Sequence, residues 1–409
     1  MSGTLASLPA GRQVDAARFA IGGALPGVAV RPVSAEEVAA VVAECSHRGL
    51  AVVPWGGGVA LSLESAPPPR YHLALDLGAL DRITVHDPED FTITAECGVT
   101  LARLQAALDA HGQELPIEAA ACGAAALGGA LASNASGARR RMLGAPRDRI
   151  LGARFVTGDG QLVRTGGRVV KNVAGHAVHR LLVGSRGGLG VFVEASLKLL
   201  PHPPARALLV HGADAAFLTD TARWSGLQRL EPAALSVLGA DAAAAHPSFT
   251  TGAPFTVLTG FEGPPEWVDA CVTRVGERLG APLAVHRGAE VPPLWRALAD
   301  AGERPGPRLT FTGADPAPPR IAPLLEHRAA ARLVLHAPAG RLLLWPDDDG
   351  LEALVHALES AGLARIEQRG TGVEWPLPPA AVLGLRARLA AALDPHACMA
   401  YGARWRAGF

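Results

Sequence analysis

The chain has 409 residues, more than one small domain needs and enough for two. Its 38 Lys+Arg balance 38 Asp+Glu, which argues against a nucleic-acid binder, since such proteins carry a basic excess to neutralise phosphates. With 49% hydrophobic and 19% charged residues it can bury large cores, so general disorder is excluded. No apolar run approaches the roughly 20 residues of a membrane-spanning helix, and the N-terminus lacks a basic start followed by an apolar core. A soluble, cytoplasmic chain is the expectation.

The first half reads as alternating strands and helices. Residues 28–31 form a short apolar strand. Ser34-Ala-Glu-Glu37 is a capping box, in which Ser34 and Glu37 satisfy each other's backbone amides. Val38, Val41, Val42 and Cys45 follow at helical spacing until Gly49. The next strand, 51–55, runs into Gly56-Gly57-Gly58. Further strands are expected at 72–76, 81–86 and 91–97, and Thr100 caps a helix over 101–111. Residues 119–138 are small throughout and lack periodicity. Gly158-Asp159-Gly160 marks a hairpin, and 191–199 alternates as a half-buried strand. Pro201, Pro203 and Pro204 then mark a domain boundary.

Two approximate strand–helix–strand units follow, over 255–285 and 341–368. They suggest helices on one face of an antiparallel sheet. The Pro-rich stretch 290–325 is read as irregular, and a last helix spans about 378–393. The resulting division is an N-terminal extension (1–27), a first domain (28–203), an α+β cap domain (204–377) and a C-terminal helix and tail (378–409).

Cys45, Cys97, Cys122, Cys271 and Cys398 show no metal-ligand spacing, so zinc and iron–sulfur sites are not expected and free thiols are. Lysine occurs only at Lys171 and Lys198, and asparagine only at Asn134 and Asn172. An arginine-rich composition that keeps all four of these residues between 134 and 198 points to that stretch.

Three segments carry chemistry. Pro54-Trp-Gly56-Gly57-Gly58-Val59-Ala60 follows a strand and leaves backbone amides open, which suits a pyrophosphate; a flexible turn is the plain alternative. Neither G-x-G-x-x-G at a strand–helix junction nor G-x-x-x-x-G-K-[ST] is present. The second segment is Gly128-Gly129 through Asn134, Ser136 and Gly137, then Arg139-Arg140-Arg141, Gly144 and Asp148. Its small residues let a flat ligand approach the backbone, and the arginines suit either an anion or a solvated loop. The third is Val-Val-Lys171-Asn172-Val-Ala-Gly175, continuing through Gly184-Ser-Arg-Gly-Gly-Leu-Gly190-Val191.

In this order and spacing the three segments resemble the FAD-binding domain of the vanillyl-alcohol oxidase and p-cresol methylhydroxylase superfamily. Within it the third segment is most similar to the FAD-binding subunits of bacterial glycolate oxidase. The resemblance covers about 28–203 well and the rest in outline. It implies an α+β chain with a two-part FAD-binding domain of the p-cresol methylhydroxylase type and a cap. It also implies FAD contacts at Pro54, Gly56, Gly57, Gly58, Val59, Ala60, Gly128, Gly129, Asn134, Ser136, Gly137, Gly144, Asp148, Lys171, Asn172, Gly190 and Val191. His176 stands where the family has Tyr. After Asp394-Pro395-His396 the chain reads Met399-Ala-Tyr-Gly402, without the family's Asn-Pro-Gly, so no C-terminal flavin contact is included. No His lies in 51–62 and Cys122 lacks the expected surroundings, so FAD is expected to be non-covalent.

Oxidising a 2-hydroxy acid needs a cation for the carboxylate, a base and a hydride acceptor. Related catalytic subunits carry Gly-His-x-Gly-Asp-Gly-Asn-x-His, whose nearest counterpart here is Leu335-His336-Ala-Pro-Ala-Gly340-Arg341. One His and no carboxylate favour an accessory flavin subunit, with His336 a structural residue; no catalytic residue is assigned. His176 and His179, three apart, could share a helix face in a structural or flavin-edge role. The leading expectation is the FAD-binding subunit of a glycolate (2-hydroxy acid) oxidoreductase complex. It would pass electrons to a second flavoprotein subunit and an iron–sulfur subunit, or to a quinone, and meet the inner face of a membrane only through partners. A docking surface is placed in 290–325. The alternatives are a stand-alone oxidase or dehydrogenase of another alcohol or hydroxy acid, and a non-catalytic assembly subunit.

Overall fold

The computed structural model describes residues 12–61, 68–169, 176–302, 308–313, 332–337, 341–345, 351–361, 363–369 and 380–402, with the single positions 319 and 323. Lys171 and Asn172 lie outside the described residues.

Val28–Val30, Leu73–Asp76 and Val52–Trp55 pair in parallel, in that order, and Gln13–Val14 adds an antiparallel edge. The sheet therefore begins within the N-terminal extension. Parallel strands need a crossover between them, and the helix Ala35–His47 supplies one, burying Val38, Val41, Val42 and Cys45. Ser34 Oγ accepts the Glu37 N–H at 3.1 Å. The Glu37 carboxylate takes the Val33 N–H and the Arg12 fork instead of closing the capping box.

A second, antiparallel sheet runs in the order Ile83–Asp87, Thr92–Glu96, Val191–Lys198, Ile150–Val156, Leu162–Gly166. The last two strands form the hairpin around Gly158-Asp159-Gly160. Between this sheet and the first lies the small-residue stretch 119–138, which contains the helix Leu127–Ser133. All five cysteines are free; four are buried and Cys122 is half-buried.

An eight-stranded antiparallel sheet begins at Ala205. Four strands, Ala205–Ala213, Ala234–Gly239, Phe255–Gly263 and Ala284–Arg287, lie in the spatial order 4-1-3-2. The next four, Arg308–Thr312, Arg332–His336, Arg341–Trp345 and Ala364–Arg369, repeat that order. The two halves join through their second strands. In each half a helix, Pro265–Leu279 or Leu351–Ser360, connects strands three and four on the same apolar face.

Residues 290–325 are not irregular throughout: Val291–Ala301 is an α-helix and Arg308–Thr312 a strand. Pro292 and Pro293 sit in the helix's first turn, where a missing N–H costs nothing. That helix buries Val291, Leu294, Trp295 and Leu298 against the sheet, so its apolar face is not a docking surface.

A buried charge cluster locks the eight-stranded sheet onto the first half. Arg139 contacts Glu118 at 2.8 Å, Glu262 at 3.0 Å and Glu114 at 3.4 Å. Arg206 contacts Glu114 at 2.7 Å and Glu262 at 3.3 Å. Trp295 Nε1 donates to Glu262 at 2.9 Å, and Arg139 lies over its ring. Three carboxylates thus face two guanidiniums, and burial raises the Glu114 carboxyl above its ordinary pKa despite Arg139. A second bond across the same junction runs from the Ala121 N–H to Asp300, at 2.7 Å.

Removing one partner of a buried ion pair strands the other. Glu262→Gln is expected to cost ~3–5 kcal/mol in chemical denaturation. Glu114→Gln leaves two carboxylates for two guanidiniums and should cost far less. With a raised native pKa, Glu114 stabilises the fold fully at low pH and loses that contribution as pH rises through the raised value. Denaturation of Glu114→Gln at several pH values should therefore show a shallower loss of stability than the wild type as pH rises from the ordinary carboxylate pKa.

Candidate functional site

The glycine triplet, the 119–137 stretch, the 186–192 segment and two central strands of the eight-stranded sheet, Arg332–His336 and Arg341–Trp345, line a single cleft. It holds about 1450 Å³ of space between atoms, part of it open to solvent, and extends from the glycine triplet to the eight-stranded sheet.

Strand Val52–Trp55 delivers Gly56, Gly57 and Gly58 to one wall. A Cβ on Gly57 would lie 1.6 Å from the Ala124 carbonyl oxygen, so only glycine lets the two loops close. Among the described residues, the amides of these three glycines donate to no protein acceptor. Three adjacent open N–H groups favour an anion. Opposite them, Gly129 also lines the cleft, yet a Cβ there would meet no protein atom within 4 Å. Protein packing does not demand a glycine at that point; a side chain there would occupy the cleft. These two observations fit a diphosphate-bearing cofactor against this wall.

Twelve of the expected contact residues line the cleft, drawn from all three sequence segments: Pro54 to Ala60 without Trp55, then Gly128, Gly129, Ser136, Gly137, Gly190 and Val191. Three described ones do not. Asn134 ends the helix Leu127–Ser133 in the left-handed region, at φ 52°. Gly144, at φ 77°, ends the turn Arg140–Leu143, and Asp148 accepts the Ala145 N–H at 3.0 Å. All three stand where the chain reverses direction. The arginine triplet divides: Arg139 is in the buried cluster, Arg140 bonds Ser136 Oγ, and Arg141 is exposed. His176 is exposed and outside the helix His179–Leu182, while His179 is buried with Nδ1 2.9 Å from Thr165 Oγ1. The two share no face.

Several lining residues escaped the sequence reading. Arg186, at φ 54°, lies in the glycine-rich third segment and was legible there. Tyr401 reaches the cleft because the C-terminal segment returns to the first sheet: Val52 donates to the Cys398 carbonyl at 2.8 Å and Ala400 donates to the Val52 carbonyl at 2.9 Å. From the eight-stranded sheet come His336, Arg341 and Leu343. His336 is 2% exposed, with Nδ1 2.9 Å from Ser236 Oγ; burial and then Arg341 push its pKa down to about 3. Arg341 Nη1 donates to the Ser136 carbonyl at 2.7 Å, bridging the two halves of the wall. His336 is thus part of the cleft and not only of the core.

Gly129→Leu should keep the fold, because a Cβ there meets no neighbouring protein atom and the side chain points to the cleft, and should abolish cofactor binding. Thermal unfolding at or slightly above the wild-type midpoint, together with loss of bound flavin, is the expected pair of results. Gly57→Ala should lower both, since the Ala124 backbone would have to move.

Residues 26–166 match the FAD binding domain family. The glycolate oxidase subunit GlcE of Escherichia coli (strain K12) is 46% identical over 132 residues, 32% of this chain and 38% of that protein. D-2-hydroxyglutarate dehydrogenase of Xanthomonas citri pv. viticola is 37% identical over 188 residues, 46% of this chain and 38% of that protein. The chain spans less than half the length of either relative. A structure of p-cresol methylhydroxylase with substrate bound superimposes with a TM-score of 0.70 at 18% identity, covering 92% of this chain and 89% of the other. The chain therefore carries, over residues 26–166, an FAD binding domain of this family, and its α+β architecture is that of p-cresol methylhydroxylase.

Proposed function

We propose that the protein is an FAD-dependent oxidoreductase acting on the CH–OH group of a small hydroxy acid, and that it works as the FAD-binding subunit of a glycolate (2-hydroxy acid) oxidoreductase complex. One observation carries the reading: a single cleft joins three open glycine amides at one wall to a histidine and an arginine of the eight-stranded sheet at another. Bound FAD supplies the hydride acceptor.

Gly56, Gly57 and Gly58 would hold its pyrophosphate through their N–H groups, without the desolvation cost of a buried lysine or arginine. Gly128, Gly129, Gly190 and Val191 would lie along the rest of the cofactor. Arg341 would supply positive charge for a carboxylate. The one-histidine segment 335–341 supports an accessory role alongside a second flavoprotein, as does the similarity to a glycolate oxidase subunit. Electrons would leave to a partner subunit or a quinone. A stand-alone dehydrogenase is the second reading, favoured by His336 and Arg341 lying in the cleft and by the D-2-hydroxyglutarate dehydrogenase relative.

The visible spectrum of the purified protein tests this. Yellow protein that releases FAD into the supernatant on acid precipitation is the expected result, and colour in the pellet would overturn non-covalent binding. Anaerobic titration with glycolate and other 2-hydroxy acids then separates the two readings. Bleaching only with partner subunits present supports the complex, and bleaching of the isolated chain supports the stand-alone enzyme. Folded protein that refuses added FAD would sink both.

A further inference from the structure

The cap wall of the cleft contains a histidine whose proton can be placed from its one partner. Ser236, His336 and Arg341 are successive cross-strand neighbours: Ser236 pairs with His336, and His336 with Arg341. Ser236 is 0% exposed and His336 2%. Ser236 Oγ lies 2.9 Å from His336 Nδ1 and has no other partner among the described residues. A serine hydroxyl carries one proton to donate, and the acceptor within reach is Nδ1. If Nδ1 carried the proton instead, the serine O–H would be a buried donor with nothing to receive it, an arrangement native interiors avoid. Nδ1 is therefore the acceptor, and the proton of the neutral ring sits on Nε2. Among the described residues Nε2 has no protein partner, on a side chain that lines the cleft.

We propose that His336 Nε2–H, beside the Arg341 guanidinium, is the recognition group for the carboxylate of the hydroxy-acid substrate, acting as a fixed hydrogen-bond donor and not as a base. This rests on the hydroxy-acid reading above. A neutral N–H donor on the next strand to the positive charge of Arg341 and beside Leu343 has an anionic oxygen as its complement. The depressed pKa keeps the ring neutral through the working range. Among the described residues, the ionisable groups that line the cleft with it are Arg341 on the next strand and, from the other walls, Cys97, Glu118, Arg186 and Tyr401. Glu118 is engaged by Arg139.

Oxalate has carboxylates and no C–H bond to oxidise, so it serves as the probe with the FAD-loaded full chain. Calorimetric binding should be roughly 10- to 100-fold weaker in His336→Leu, and largely retained in His336→Gln, whose amide N–H stands near the Nε2 position. Wild-type binding should be flat from about pH 5.5 to 8. Equal binding by the wild type and His336→Leu would overturn the inference while leaving a yellow protein and the hydroxy-acid reading intact. Loss of flavin from the wild type would overturn that reading and the inference with it. Should His336→Leu fail to fold, the ¹⁵N shifts of the wild-type ring decide. Unprotonated Nδ1 with protonated Nε2 supports the assignment, and the reverse overturns it.

Discussion

Five charged side chains removed from water set the relation between the two halves of this molecule. Arg139, Glu114 and Glu118 come from the first half, and Arg206 and Glu262 from the first and third strands of the eight-stranded sheet. Desolvating them is expensive, and an apolar substitute of equal shape could be as stable. What the cluster supplies is direction: guanidinium forks accept few orientations, so the cap can seat in few ways. Gly137 packs against Glu118, which ties the cluster to the cleft wall itself. The separation between glycine amides and the His336–Arg341 row follows from that seating.

The eight-stranded sheet adds a second constraint. Its halves repeat one strand order and meet strand two to strand two, and Ser236 and His336 face each other across that seam. Each half therefore contributes one member of the pair, and neither half alone could fix the imidazole. The opposite face of the sheet, holding Val237 and Leu335, is filled with aliphatic and aromatic side chains beneath its helices. Alternation along the strands puts the polar row on the other face, where it borders a second apolar cluster of Leu238, Val334 and Leu343 under the helix Val291–Ala301.

How much of this was legible depended on the range of the interactions. The first-half strands and the helix Ala35–His47 follow from local periodicity and capping, and were readable residue by residue. The glycine wall was readable because close backbone approach leaves only small residues as a solution. The helix Val291–Ala301 was misread because prolines break a helix interior yet suit its first turn. Gly144 and Asp148 lie outside the cleft lining, at a chain reversal that the sequence pattern does not separate from a ligand loop. His336 could not be placed at all: its environment depends on a strand 100 residues away and on a register no local pattern encodes. Tyr401 arrives by a return of the chain that is equally non-local.

That return has a consequence for how the protein comes into being. The strand that presents the glycine triplet keeps an unpaired edge until residues 398–400 bond to Val52, and the cleft lacks one wall residue until Tyr401 follows. During synthesis that edge stays uncovered until residues 398–400, far along the chain, have emerged. Until then the nascent first domain exposes a strand edge open to mispairing.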